Sequence, residues 1–168
     1  SVEAEVIYCS YVDAVYSSDR ELDYPAYSQK AGKVYVDLAL KVKNVGKLKF
    51  NENYITAYVM YDDARRDMSF LCEKNTGVNF ESNYEAGVDA GETGIVHMVT
   101  ILDEAARNTS LSVTYKIGPD TKEQPVSTKS FSDPLANKTR VRAGDTVKIG
   151  DAYTFEIQEV DVKKYFGA

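Results

Sequence analysis

Tryptophan is absent from the 168 residues, histidine occurs once and cysteine twice, and only 4 Pro and 10 Gly punctuate the chain. The two cysteines, Cys9 and Cys72, are too few and too far apart for a thiolate metal site or a C-x-x-C redox motif. A single histidine, His97, with no Gly-x-Ser-x-Gly elbow near a serine, leaves a hydrolytic triad without its usual parts. Gly91, Gly94, Gly144 and Gly150 stand singly, so neither a P-loop nor a dinucleotide fingerprint is present. No stretch approaches the roughly 18 consecutive apolar residues of a membrane helix. Lysine and arginine, 20 against 26 acidic side chains for a net charge of −6, are scattered rather than clustered. That pattern lacks the electrostatic footprint of a nucleic-acid partner.

What remains is globular in composition, with 43% hydrophobic and 27% charged residues. The aromatic content, 13 Tyr and 6 Phe, suits a pleated, half-buried surface. Period-two alternation runs almost throughout. Val34, Val36, Leu38, Leu40 and Val42 alternate with Tyr35, Asp37, Ala39, Lys41 and Lys43, which reads as a strand apolar on one face and wet on the other. It ends at Asn44–Val45–Gly46, a turn signal. Tyr54 to Tyr61 is apolar on both faces, which predicts a cover over Tyr54, Thr56, Tyr58 and Met60. Further strands are expected at Met68–Glu73, Gly94–Leu102 and Leu111–Ile117, and one between Val2 and Tyr16 with a slip in register. Asp103–Asn108 is the one helical turn, with Asp103 as its cap. Short polar turns and no crossover-length helix predict an all-β, antiparallel two-sheet sandwich over 1–118. Residues 119–139 read as a surface excursion or linker. An additional strand pair is expected within 140–168, packed back on the same domain because a lone strand pair cannot bury its apolar face; the start of a second module is the alternative.

Two motifs carry a resemblance. The run Gly32–Gly46, ending Asn44–Val45–Gly46, is followed by Ile55–Thr56–Ala57–Tyr58–Val59 and later by Ala90–Gly91–Glu92–Thr93–Gly94. This pattern resembles a bacterial immunoglobulin-like domain of unknown function found in Gram-positive lipoproteins and secreted proteins, similar in fold to the mycobacterial immunoprotective extracellular protein. The resemblance covers Val2 to Ile117. It implies an extracytoplasmic, envelope-associated module without catalysis, held at a membrane only through a lipid anchor outside this chain. Without tryptophan the likeness to antibody domains is one of architecture, with tyrosines, Phe70 and aliphatic side chains filling the core.

Candidate sites are few. Tyr54 and Tyr58 on one strand face, and Tyr24 and Tyr27 around Pro25, offer stiff contact area for a protein or a cell-surface glycan; cross-strand packing is the competing role. Cys9 and Cys72 are either one disulfide or two buried thiols. His97 shares the parity of Ile95 and Val99 and reads as a packed or rim histidine. The acidic groups Asp62–Asp63–Asp67 and Glu81–Glu85–Asp89–Glu92 lack a calcium-loop rhythm. No metal, cofactor or enzymatic activity is expected. The expected role is protein contact or spacing, with carbohydrate binding through the tyrosines as the alternative.

Overall fold

The computed structural model describes residues 1–17, 25–73, 80–81, 85–128, 146–149 and 153–156. The chain divides into two compact units, Ser1–Phe131 and Ser132–Ala168. The first contains β1 (Val2–Val12), β2 (Lys33–Asn44), β3 (Ile55–Tyr61), β4 (Ala64–Asp67), β5 (Ser69–Glu73), β6 (Phe80–Glu81), β7 (Thr93–Asp103), β8 (Ser112–Ile117) and β9 (Asp120–Pro125). Two sheets form, with strand orders β1-β2-β7-β5-β6 and β4-β3-β8-β9, and their pairings are antiparallel. Apart from the short β6, these orders are the A-B-E-D and C′-C-F-G sheets of the immunoglobulin sandwich. In the second unit, β10 (Thr146–Ile149) and β11 (Tyr153–Glu156) pair antiparallel with Val147 opposite Phe155.

The core is built from the alternation the sequence shows. Val34, Val36, Leu38, Leu40 and Val42 of β2 meet Ile55, Ala57 and Val59 of β3, with Phe70, Val96, Met98 and Val113 closing around them. In β1 the parity changes partway. Val6 pairs with Leu40 and Tyr8 with Ala39, so Ile7 is the extra residue of a bulge. Before it Val2, Ala4 and Val6 pack on the core, and after it Cys9 and Tyr11 do. The expected slip in register therefore falls at Ile7, and it turns Tyr8 to the opposite face of the sheet.

Several expectations are corrected. The face of β2 expected to be wet is buried at Tyr35, Asp37 and Ala39, because the first sheet is covered on its outer side too. A second apolar cluster lies there, Val15, Tyr35, Leu71 and Val99 with Val12, Tyr27 and Phe80 packed against it. The Val15 N–H bonds to the Tyr27 carbonyl at 3.0 Å, and Tyr35 Oη donates to the Ser28 carbonyl at 2.8 Å, which fastens this cover. Conversely, the β3 face expected to be covered is exposed at Thr56 and Met60. The run from Asp120, expected as an excursion, opens as β9, paired with β8 around the Gly118–Pro119 loop, with Gly118 at φ 59°. It is polar because it is an edge strand exposed along most of its length. Beyond it, the Ser127 N–H donates to the Cys9 carbonyl at 2.8 Å. The helical turn forms as a 3-10 turn at Glu104–Asn108, but Asp103 makes no side-chain cap. Its carboxylate takes Lys33 Nζ at 2.6 Å instead.

The two cysteines stand as separate buried thiols. Cys9 lies on β1 and Cys72 on β5, three strands apart in the sheet order. At about 4.8 Å per strand that is roughly 14 Å, beyond the reach of a disulfide. Burial pushes the Cys9 thiol up to about 12, with Asp37 adding to the shift, so it is an inert core group.

Both motifs, Asn-x-Gly and Gly-Glu-Thr-Gly, meet at one end of the sandwich. Asn44, 1% exposed, donates from Nδ2 to the carbonyls of Leu48 at 2.8 Å and Val88 at 2.9 Å, and its Oδ1 accepts the Gly46 N–H at 3.0 Å. Its backbone bonds to Glu92 and Gly91, each at 2.8 Å. Gly91 takes φ 83°, and a Cβ on Gly94 would lie 2.8 Å from Val88 Cγ2. The Asn-x-Gly and Gly-Glu-Thr-Gly segments thus form one joint between the β2–β3 and β6–β7 connections. Asn44→Ala removes both Nδ2 bonds, one of them to the buried Val88 carbonyl, together with the bond to the Gly46 N–H, and is expected to lower unfolding free energy by about 2 kcal/mol. Urea unfolding checks this, and a loss within about 0.5 kcal/mol would show that the joint is dispensable.

Candidate functional site

Across the outer face of the first sheet, strand register aligns Tyr8, Ala39, His97 and Leu71 in one row. Asp37 lies one row to one side of His97 and Glu73 one row to the other, so both reach the ring diagonally. Ala39, the neighbour directly across from His97, is small enough to leave the imidazole room. His97 Nδ1 sits 2.9 and 3.1 Å from the two carboxylate oxygens of Asp37, and Nε2 lies 2.8 Å from Glu73 Oε1. Tyr8 Oη donates to Asp37 Oδ2 at 2.6 Å. Phe80 packs edge-on against the imidazole with ring centroids 5.1 Å apart, and Tyr8 does so at 6.1 Å. The side chains of His97 and Asp37 are each 1% exposed, and that of Glu73 is 9%.

Burial on its own would strip the proton from His97. The charge and hydrogen bonds of Asp37, followed by those of Glu73, outweigh it and raise the imidazole from 6.5 to about 9. At neutral pH the ring is therefore an imidazolium donating from both nitrogens. Such a ring has no lone pair left to take a proton from a nucleophile. Each nitrogen is held by a separate carboxylate, on opposite sides of the ring. Among the described residues no group of three or more His, Cys, Asp or Glu side chains has metal-site geometry. What the arrangement does is lock β1, β2, β7 and β5 together through one buried charge network.

An open feature lies elsewhere. The strand beginning at Ala64 starts in the second sheet as β4, bends at Met68 and continues in the first sheet as β5. Where it departs, a groove of 740 Å³ opens beside the first half of β3. It is lined by Glu52, Asn53, Ile55, Thr56 and Ala57 on the β3 side and by Arg65, Asp67, Met68, Ser69 and Phe70 on the other strand, with Met98 and Tyr27 completing the lining. Arg65 is held in place twice, by Asp67 Oδ1 at 2.7 Å and over the Tyr58 ring at 4.0 Å from the centroid.

The structure places the four sequence-derived tyrosines unequally. Tyr27 lines the groove while stacking on Tyr35 at 5.6 Å. Tyr58 adjoins the groove beneath Arg65, and Tyr54, 46% exposed, stacks on Phe50 at 6.3 Å. Tyr24 lies outside the described residues. Of the other three, Tyr27 alone lines the groove, Tyr58 meets it through Arg65, and each has one ring face already covered. Asp37 and Glu73 were not singled out by sequence reasoning. The available signal was a lone carboxylate in mid-strand between Val36 and Leu38, at the parity of the only histidine on a later strand. The acidic groups considered for calcium are dispersed: Asp67 holds Arg65, and Asp89 holds Lys49 at 3.2 Å.

No protein-family model and no curated protein matches the chain. Among solved structures it is similar to an uncharacterized β-sandwich protein from Clostridium difficile, with a TM-score of 0.65 and 20% identity over 74% of this chain and 84% of that one. The protein is thus a β-sandwich of immunoglobulin-like topology.

Proposed function

We propose that the chain is a non-catalytic, extracytoplasmic module of a bacterial envelope protein or lipoprotein that works by protein contact or as a spacer. The observation that carries this reading is the state of its one histidine. His97 is buried, charged and saturated by Asp37 and Glu73, which argues for structure rather than proton transfer. Burial of Cys9 and Cys72 argues likewise against thiol chemistry. The resemblance to immunoglobulin-like domains of Gram-positive lipoproteins and secreted proteins supports the extracytoplasmic setting. Surface biotinylation of intact cells tests it: the chain is expected to label without lysis, and labelling only after lysis would remove this reading.

Carbohydrate binding is the second reading, favoured by Tyr54 and by the nearness of Tyr27 and Tyr58 to the groove. It is the weaker, because each of these rings has a face covered by Phe50, Tyr35 or Arg65. Silence on an oligosaccharide array would eliminate it.

A further inference from the structure

We infer that the first unit resists tension along the chain, because β1 can leave it only by sliding lengthwise past its neighbours; this rests on the spacer reading and deepens it. β1 runs antiparallel to β2, from Val2 opposite Asn44 to Val12 opposite Tyr35. The chain thus enters beside the Asn44–Gly46 joint, where a Cβ on Gly46 would stand 2.9 Å from the Ser1 nitrogen. It leaves through β9, which runs from Asp120 opposite Ile117 to Pro125 opposite Ser112, and then through Ser127, which lies parallel to β1 beside Ser10. At 3.3 Å per residue Val2 and Ser10 are about 26 Å apart, so the entry and exit points are offset along the strands.

Tension between those points draws β1 towards its Val2 end and Ser127 the opposite way. The direction of loading decides what must break. Neighbouring strands drawn apart from one shared end open one bond pair after another, whereas strands drawn lengthwise must part their ladder bonds together. β1 is loaded lengthwise against β2 along their whole pairing, and against Ser127, whose N–H donates to the Cys9 carbonyl at 2.8 Å. β9 is loaded in the same way against β8, since the Gly118–Pro119 turn that joins them lies at the far end from Pro125.

The bulge at Ile7 sets where the resistance concentrates. Before it, β2 is the one strand paired with β1 among the described residues; beyond it, Ser127 holds the other side as well. Tyr8, the first residue past the bulge, is also tied across the strands. Its Oη donates to Asp37 Oδ2 at 2.6 Å, Asp37 is held by His97 of β7, and His97 in turn by Glu73 of β5. A short bond to a carboxylate is among the strong ones, and a slide of β1 by one residue is far more than it tolerates. The same slide turns Cys9 and Tyr11 out of the core. The buried network therefore lies crosswise to the path of tension, at the point where β1 must begin to slide.

The test holds the whole chain at constant force in tweezers, with handles on cysteines introduced at exposed positions, Cys9 and Cys72 being buried. Ser1→Cys with Thr128→Cys loads the strands lengthwise, and unfolding is read as a release of about 40 nm of chain. Ser1→Cys with Lys47→Cys draws β1 and β2 apart from their shared end. At equal force the lengthwise pair is expected to yield at least about 100-fold more slowly. Within the lengthwise pair, Tyr8→Phe is expected to raise the unfolding rate about tenfold, because its bond is lost before the barrier is crossed. Ile55→Val, a core truncation on a strand outside the path, is expected to raise it less than about threefold. Equal rates in the two loading directions would overturn the inference, as would Tyr8→Phe acting no more strongly than Ile55→Val. Either result with surface labelling intact removes the tension-bearing role and leaves the extracytoplasmic protein-contact reading standing; labelling only after lysis removes that reading independently.

Discussion

Replacing His97 with alanine is expected to cost about 3–5 kcal/mol of folding free energy, because it leaves the Asp37 and Glu73 carboxylates buried without their shared cation. For a unit of this size that is a fall of about 10–20 °C in Tm. The size of the effect follows from what is left behind. A cavity the size of an imidazole would by itself be a smaller matter than two uncompensated charges in a site 1% exposed at Asp37. The triple variant His97→Gln, Asp37→Asn, Glu73→Gln carries no buried charge and is expected to recover most of the loss, since hydrogen-bonded amides need no counterion. A loss below about 1 kcal/mol for His97→Ala, or a triple variant no more stable than the single one, would show that the network is not charged.

The pH dependence should carry the same signature. His97 moves from 6.5 to about 9 on folding, so its proton stabilises the folded state fully below pH 6.5. That contribution is lost as pH rises through about 9, and the shift corresponds to about 3 kcal/mol. Other groups also titrate in alkali, so the informative quantity is the difference between wild type and the triple variant. In urea unfolding, wild type is expected to lose about 3 kcal/mol relative to the triple variant between pH 6 and pH 9.5. Parallel pH profiles would contradict it.

Much of the sandwich was legible because its core side chains obey period two. Val34 to Val42 and Ile55 to Val59 announce both strands and their buried faces. What was not legible depends on register and coverage, which no local pattern encodes. Tyr35, Asp37 and Ala39 look wet next to Lys41 and Lys43, yet Val15, Tyr27 and Phe80 come from elsewhere in the chain to cover that face. The β3 face looked covered because Tyr58 and Met60 are apolar, whereas Arg65 shields Tyr58 from the neighbouring strand and Met60 stays 52% exposed. Asp120–Pro125 contains no apolar alternation since an edge strand with little to bury needs none. The bulge at Ile7 shows as a broken alternation, but its consequence, Tyr8 on Asp37, emerges only when β1 is paired with β2. His97 could be read as packed; its partners could not, because Asp37 and Glu73 meet it diagonally from two other strands.

The single histidine makes the central claim directly observable. In a ¹⁵N-labelled sample one imidazole spin system reports His97 without overlap. Both ring nitrogens are expected to carry protons at pH 7, with a titration midpoint near 9. A neutral tautomer at pH 7, or a midpoint near 6.5, would contradict a buried structural imidazolium and reopen His97 as a base.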